Sequence, residues 1–373
     1  MATSEKIFAS HQGLLRTYGF NVDLFEKLQQ KLKAGLFSPS ANLVRGPVTI
    51  PSSGAFTQAP QKDSQHARDL HNKGLRAINA GRVALVVLNG GMATRFGGQV
   101  KGAVDIISGL SFLGLRLQVT KKLAPKAPVF FLNSFATHEK TQQHLEENAY
   151  FGCNPNQITH LNQYISVRLN PDGEIFTPQD GQPSFYAPGH GDIFSVLNQS
   201  AEFQRFACNE GNIVMVVNVD NVFADLHPEI IGRHIEQGKN VSVEIAPQHR
   251  GDRGGAPLEY ENRVQIIEAF RLPETFPHHE VKFFNTNTLI FNARVFQQEY
   301  PLTWFRADKK VDGHDVVQFE RLMGEITAFE DAAFLEVSRS GTNGRFWPIK
   351  TPEDLKGLEK PLRLRYSWLK SFD

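Results

Sequence analysis

The sequence predicts an α/β fold, a mostly parallel sheet flanked by helices, on three observations. The apolar run at residues 83–87, Val-Ala-Leu-Val-Val, breaks abruptly at Asn89-Gly90-Gly91. That is the pattern of a buried strand delivering its loop to the carboxyl edge of a sheet. Phe112, Leu115, Val119 and Leu123 then form a helical stripe, and a second apolar run follows at residues 129–133. Strand, loop, helix and strand make one crossover unit, which is right-handed and gives parallel strands. The alternation continues through residues 158–164 and 213–217, which read as further strands.

The totals set limits. At 373 residues the chain suits one large α/β domain with an appendage. Lys plus Arg is 40 and Asp plus Glu is 39, so no global field draws the protein to nucleic acid or anionic lipid, and any phosphate affinity must be local. Cys153 and Cys208 form no Cys-x-x-Cys pair, which excludes a disulfide framework and a zinc cluster. The opening Met-Ala-Thr-Ser-Glu-Lys has no signal-peptide apolar core, and no run approaches the ~18 apolar residues of a membrane span. The expectation is a cytoplasmic protein without nucleic-acid or membrane partners, a monomer or small homo-oligomer.

Residues 1–80 differ from the rest. Phe8, Leu14, Leu15, Tyr18, Phe20, Leu24, Phe25, Leu28 and Leu32 fall near helical spacing, with Gly35 as a stop, and predict two short helices. The Pro, Ser, Gly and Gln content of residues 43–64 predicts an irregular crossing, and residues 67–80 resume a helical pattern that ends at Gly81. The division expected is a helical appendage, 1–80, on a catalytic domain, 81–373.

Several stations carry chemistry. In the loop after the first strand, glycines let backbone N–H groups approach phosphate oxygens, and Arg95 and Lys101 add two cations. The loop lacks both the Gly-Lys-Ser/Thr ending of a Walker loop and the Gly-x-Gly-x-x-Gly spacing, which argues against a kinase and a dehydrogenase. Its cargo is read as a nucleotide. At Asn218-Val219-Asp220-Asn221 a strand ends in a carboxylate, suited either to a hard divalent cation or to capping the next helix. Pro188-Gly189-His190-Gly191-Asp192 reads by itself as a tight turn in which Asp192 starts a helix. Asn285 and Asn287, two apart in Phe283-Phe284-Asn285-Thr286-Asn287-Thr288-Leu289, share one face of a predicted strand, as a sugar platform or an exposed polar face. Lys350 sits in a loop, where a lysine is ordinarily solvated.

Taken in order, these stations resemble the signatures of the sugar-phosphate nucleotidyltransferases, in particular the UDP-sugar pyrophosphorylases of the UDP-glucose pyrophosphorylase type. The loop resembles Gly-Gly-x-Gly-Thr-Arg-x-Gly followed by Lys-Gly, with Ala93 in place of the third glycine and Val100 where some members have proline. Pro-Gly-His-Gly-Asp matches that family's motif residue for residue. Asp252-Arg253-Gly254-Gly255, Gln265-Ile266-Ile267-Glu268 and the asparagine strand are similar to its sugar-contacting segments. Arg345-Phe346-Trp347-Pro348-Ile349-Lys350-Thr351 resembles its last motif, with Gly341 to Gly344 as a four-residue insertion.

The resemblance spans roughly residues 83 to 355 and implies a Rossmann-like, GT-A-like nucleotidyltransferase fold with a mixed, mostly parallel sheet. It assigns Arg95, Lys101 and Lys350 to the phosphates, Gly90, Gly91, Gln163, Gly189 and His190 to the nucleotide, Gly255, Glu268, Asn285 and Asn287 to the sugar, and Asp220 to Mg²⁺. The implied reaction joins UTP and a sugar 1-phosphate to give UDP-sugar and pyrophosphate. Glucose 1-phosphate is the expected acceptor, and an N-acetylglucosamine or broad-specificity enzyme is the alternative. From another class, a catalytically silent sugar-nucleotide binding or regulatory protein stays open, while the lack of Asp-x-Asp after a central strand weighs against a GT-A glycosyltransferase. Few residues follow Leu355, so the family's C-terminal β-helix is not expected.

Overall fold

The structure, a computed structural model, describes residues 8–369 other than Thr94, Arg95, Ser108, Asp180, Glu210, Gly211, Arg250, Arg253 and Thr342. Its centre is a seven-stranded sheet made of β1 (Val83–Leu88), β2 (Val129–Asn133), β3 (Ile158–Asn162), β4 (Ile213–Asn218), β5 (Val241–Pro247), β6 (Phe283–Asn292) and β7 (Ala332–Glu336). The spatial order is β7-β5-β6-β4-β1-β2-β3. Pairs β1/β4, β1/β2, β2/β3 and β5/β7 are parallel, whereas β6 runs antiparallel to both β4 and β5. One reversed strand therefore makes the sheet mixed. It also brings the start of β6 to the edge where the other strands end.

Alternation explains why β1 is apolar throughout. Val83, Leu85 and Val87 face one core and Ala84 and Val86 the other, all fully buried. The first core is closed by α4 (Phe112–Leu123), α5 (His138–Glu147), α8 (Pro228–Gln237) and α9 (Glu359–Arg365), the second by α6 (Ile193–Gln199) and α7 (Ala201–Ala207). Ser111 caps α4 by accepting from Gly114 N at 3.1 Å, which fixes where the helix begins.

The expected helices of the first eighty residues form as α1 (Gln12–Thr17), α2 (Val22–Lys33) and α3 (Gln65–Asn79). Asn21 caps α2 by accepting from Leu24 N at 2.9 Å. The buried face of α2, Phe25, Leu28 and Leu32, packs on Val167, Leu169, Val317 and Phe319 from two hairpins of the main fold. Ala77 and Ile78 of α3 join the first core beside Ile230 and Ile231 of α8. Among the described residues no helix is long and apolar enough to cross a membrane.

Ala93 lies in a two-residue ladder, Met92–Ala93 against Gln99–Val100, so its position is extended and does not ask for glycine. The strand expected over residues 158–164 stops at Asn162 and leaves Gln163 and Tyr164 beyond it.

Candidate active site

The loop after β1 is held from below. Asn89 is fully buried and donates Nδ2 to Asn133 Oδ1 at 2.8 Å and to Thr141 Oγ1 at 2.9 Å. The Gly90 carbonyl accepts from Ser134 Oγ at 2.8 Å. A Cβ on Gly90 would stand 2.1 Å from Gln163 Oε1, so a larger residue there would displace the Gln163 amide, while Gly91 faces open space. Lys101 then turns its side chain across to β4 and places Nζ 2.6 Å from Asp220 Oδ2. Arg95 lies outside the described residues.

Gln163 is tied to the next motif rather than left free. Its Nε2 donates to the Gly189 carbonyl at 2.7 Å, so part of the amide expected to meet a uracil edge is spent on joining two loops. Gly189 has φ +93°, and a Cβ on it would stand 2.5 Å from the Arg321 carbonyl. His190 Nδ1 accepts from Met323 N at 2.9 Å. A backbone N–H can only donate, so this bond selects the neutral tautomer and leaves Nε2–H as the donor the ring offers. Burial pushes the imidazole down to about 4, with Glu320 pulling weakly the other way.

Asp192 stands at the start of α6, as the turn reading expects, but its side chain makes no capping bond. It is fully buried, paired through Oδ1 with Arg321 Nη2 at 2.6 Å, and accepts from Tyr164 N at 3.1 Å through Oδ2. The Arg321 guanidinium is stacked on Trp304 at 4.5 Å. Arg321 thus holds Gly189, His190 and Tyr164 in one arrangement. It escaped the sequence reading because its partner Asp192 is 129 positions away and no local pattern marks it.

The stations converge on a cavity of about 210 Å³ whose walls include His190, Asp220, Gly255, Glu268, Asn285, Asn287 and Lys350. The asparagines do not reach it by strand alternation. Val243 of β5 pairs Leu289 and Ile245 pairs Asn285, so β6 carries a bulge of extra residues, and Asn287 within it has φ +58°. Asn285 Oδ1 accepts from Asn287 N at 2.9 Å, and Asn287 Nδ2 donates to Asn218 Oδ1 at 3.0 Å. The two amides therefore do not share one face of a regular strand, as expected, and reach one cavity because the strand is broken between them. Burial pushes the Glu268 carboxyl up to about 7, with Arg271 pulling it down.

Asp220 stands in a turn well before α8, so helix capping does not account for it. Its carbonyl accepts from Ile349 N at 3.0 Å, which fixes the Lys350 segment against the end of β4. Lys350 N and Thr351 N both donate to Asp354 Oδ2, at 2.7 and 2.8 Å, and hold the exposed lysine at the cavity rim. Among the described residues no three His, Cys, Asp or Glu side chains gather as a complete protein cage for a metal. Asp220, at a cavity that Glu268, Lys350 and amide side chains also line, does suit Mg²⁺, which takes one or two protein carboxylates and fills its shell with phosphate oxygens and water.

Beyond the cavity, Arg339 lies between Phe284 and Phe346, 5.0 and 5.1 Å from their ring centres, and is paired with Asp252. It ties the Asp252 turn, which leads to Gly255, to the segment leading to Lys350. The Asp252 motif gives no hint in the sequence of this clasp, because Arg339 lies 87 positions away.

A reversed strand beside parallel ones, with a glycine loop, a carboxylate and lysines at one edge, defines a nucleotidyltransferase-like α/β protein. The same fold is found in the uridine diphosphate N-acetylglucosamine pyrophosphorylase of Trypanosoma brucei, with TM-score 0.73, 19% identity, and coverage of 98% of this chain and 80% of that one. It recurs in a structure described as UDP-glucose phosphorylase from Trypanosoma brucei, with TM-score 0.72, 20% identity, and coverage of 96% and 78%. The family model described as UTP–glucose-1-phosphate uridylyltransferase matches residues 52–362. The UTP–glucose-1-phosphate uridylyltransferase of Hordeum vulgare is 30% identical over 294 residues, 74% of this chain, and the chain spans 61% of the length of that relative. The chain belongs to the UTP–glucose-1-phosphate uridylyltransferase family.

Proposed function

We propose that this chain is a Mg²⁺-dependent uridylyltransferase that converts UTP and glucose 1-phosphate to UDP-glucose and pyrophosphate. The observation that carries the reading is the meeting of Asp220, Lys350, His190 and the two asparagines at one cavity, with Lys101 paired to Asp220. The family match and the names of the relatives support the same reaction.

The acceptor already carries an anionic phosphate oxygen, so no strong general base is needed. That oxygen attacks the α-phosphorus of UTP in line, the bond from the α-phosphorus to the bridging oxygen breaks, and pyrophosphate leaves with the electron pair. Lys101, from the loop after β1, and Lys350, from the segment after β7, neutralise charge that grows on the transferring and leaving oxygens. His190 donates Nε2–H to a phosphate oxygen as a neutral group. Asn285, Asn287 and Glu268 take sugar hydroxyls, while Gly90, Gly91 and Gly189 bring backbone against the nucleotide and Gln163 presents what is left of its amide to the base. Arg95 is assigned to the phosphates on sequence grounds. Asp220 would hold Mg²⁺, which would supply neutralising charge to the phosphates.

Within this reading residues 1–80 form a helical appendage on a catalytic domain of residues 81–373, and the packing of α2 and α3 on the main fold supports a structural role for it. A cytoplasmic monomer or small homo-oligomer, with UTP and a sugar 1-phosphate as its partners, completes the proposal. The test is pyrophosphate release from UTP with Mg²⁺ and a panel of glucose, galactose and N-acetylglucosamine 1-phosphates, with and without chelator. Metal-dependent release with glucose 1-phosphate is expected. Release with N-acetylglucosamine 1-phosphate alone would move the substrate, and none with any sugar would overturn the reaction.

A further inference from the structure

Beneath Asp220 and Lys350 lies a buried charge cluster that the proposed chemistry does not touch. Asp225 is 3% exposed, Glu244 0% and Arg345 7%. Arg345 donates Nη1 to Asp225 Oδ1 at 2.9 Å, Nη2 to the Asp225 carbonyl at 2.9 Å, and Nε to Glu244 Oε1 at 2.7 Å. Asp225 Oδ2 accepts from Arg365 Nη2 at 3.0 Å and from the Tyr366 hydroxyl at 2.7 Å, both at the end of α9. Burial opposes ionisation of Asp225, and Arg365 and Arg345 nonetheless hold it well below the usual carboxylate range. Arg365 also donates Nη1 to the carbonyl of Gly344, the last residue of the four-residue insertion.

From Arg345 the bonds run upward without a gap. The Arg345 carbonyl accepts from Asn221 Nδ2 at 3.1 Å, and Asn221 Oδ1 accepts from Trp347 N at 2.9 Å. Asn221 bridges to Pro348, and the Asp220 carbonyl accepts from Ile349 N. Asp220 and Lys350 therefore hang on two strips of chain stitched to each other at Asn221 and anchored at Asp225.

We propose that Arg365 and Tyr366 are positioning residues, which set the separation of Asp220 from Lys350 through Asp225 and Arg345. The assignment rests on the functional reading given above. A buried ion cluster of this size is a poor source of stability, since desolvation offsets most of the Coulomb attraction. What it supplies is a single geometry.

The test uses Arg365→Met, Arg365→Lys and Tyr366→Phe in the full chain, with amide hydrogen exchange of residues 345–351 and steady-state kinetics with UTP and glucose 1-phosphate. Arg365→Met should speed exchange of that segment and lower kcat roughly 10- to 100-fold, with KM for glucose 1-phosphate close to that of the parent. Arg365→Lys should restore part of both, and Tyr366→Phe, which keeps the ring in place, should give a smaller loss in a protein that folds even where Arg365→Met does not. Parental exchange of residues 345–351 in both Arg365→Met and Tyr366→Phe would overturn the positioning role. A parent that turns over no sugar 1-phosphate would instead overturn the functional reading, and the exchange comparison would still decide the positioning role.

Discussion

Lys101 Nζ and Asp220 Oδ2 stand 2.6 Å apart, with side chains only 17% and 16% exposed, and they come from the loop after β1 and the turn after β4. The pair joins the two stations whose roles depend most on each other. If Asp220 holds Mg²⁺ and Lys101 meets phosphate, the two charges exchange partners when substrate binds. Lys101→Met and Asp220→Asn are each expected to lower kcat about 100- to 1,000-fold. The double variant should lose far less than the product of the two losses, because both act on one charge arrangement. Steady-state kinetics on the four proteins checks this, and strictly multiplicative losses would place the residues in separate roles.

His190 is expected to act neutral across the working range. Its imidazole is pushed down to about 4 from the ordinary 6.5. A folded value below the unfolded one means that the native state prefers the neutral ring. The stability this contributes is present above about 6.5 and is lost as pH falls through about 4. His190→Gln keeps a donor without a titration, so its stability relative to the parent should rise as pH drops across that window. Urea unfolding at pH 4.5 and 7.5 measures the change, and an equal difference at both values would contradict the tautomer fixed by Met323 N.

Glu268 titrates in the opposite direction. Its carboxyl is pushed up to about 7, so the native state prefers the protonated form, and stability is lost as pH rises from the ordinary carboxylate range through about 7. Glu268→Gln should therefore gain stability at pH 8, by about 1–3 kcal/mol, and lose that gain at pH 4. The carboxylate is also the form that accepts from a sugar hydroxyl. KM for glucose 1-phosphate should fall in the parent as pH rises through 7 and stay flat in Glu268→Gln. Parallel pH profiles for the two proteins would remove Glu268 from the sugar site.

What the sequence made legible follows the range of the forces involved. The strand run at residues 83–87, the helix from Phe112 and the strand that ends before Asp220 are written in local periodicity and abrupt changes of polarity, and they formed as expected. Lys101, Asp220, Glu268 and Lys350 were each singled out from separate motifs, and three of them line one cavity. The connections between motifs were not legible. Gln163 to Gly189, Asp192 to Arg321, Arg339 to Asp252 and Arg365 to Asp225 are pairings of residues far apart in the chain, and nothing in either neighbourhood names the partner. The reversal of β6 belongs to the same class, since an apolar run reads the same in either direction.

Asn287 separates backbone from side chain more cleanly than any other residue of the site. Its φ of +58° is a conformation that Asn and Gly adopt at low cost and Ala does not, while its Nδ2 donates to Asn218 Oδ1 and its amide faces the cavity. Asn287→Gly should retain the bulge and the fold, with a melting temperature near that of the parent, and should raise KM for the sugar 1-phosphate about tenfold from the lost hydrogen bonds. Asn287→Ala should show the same missing amide and in addition lose about 1–2 kcal/mol of stability from the strained backbone. The comparison of the two variants is decisive, because an amide that serves only to hold the bulge would leave KM unchanged in Asn287→Gly, whereas an amide that meets substrate raises KM equally in both.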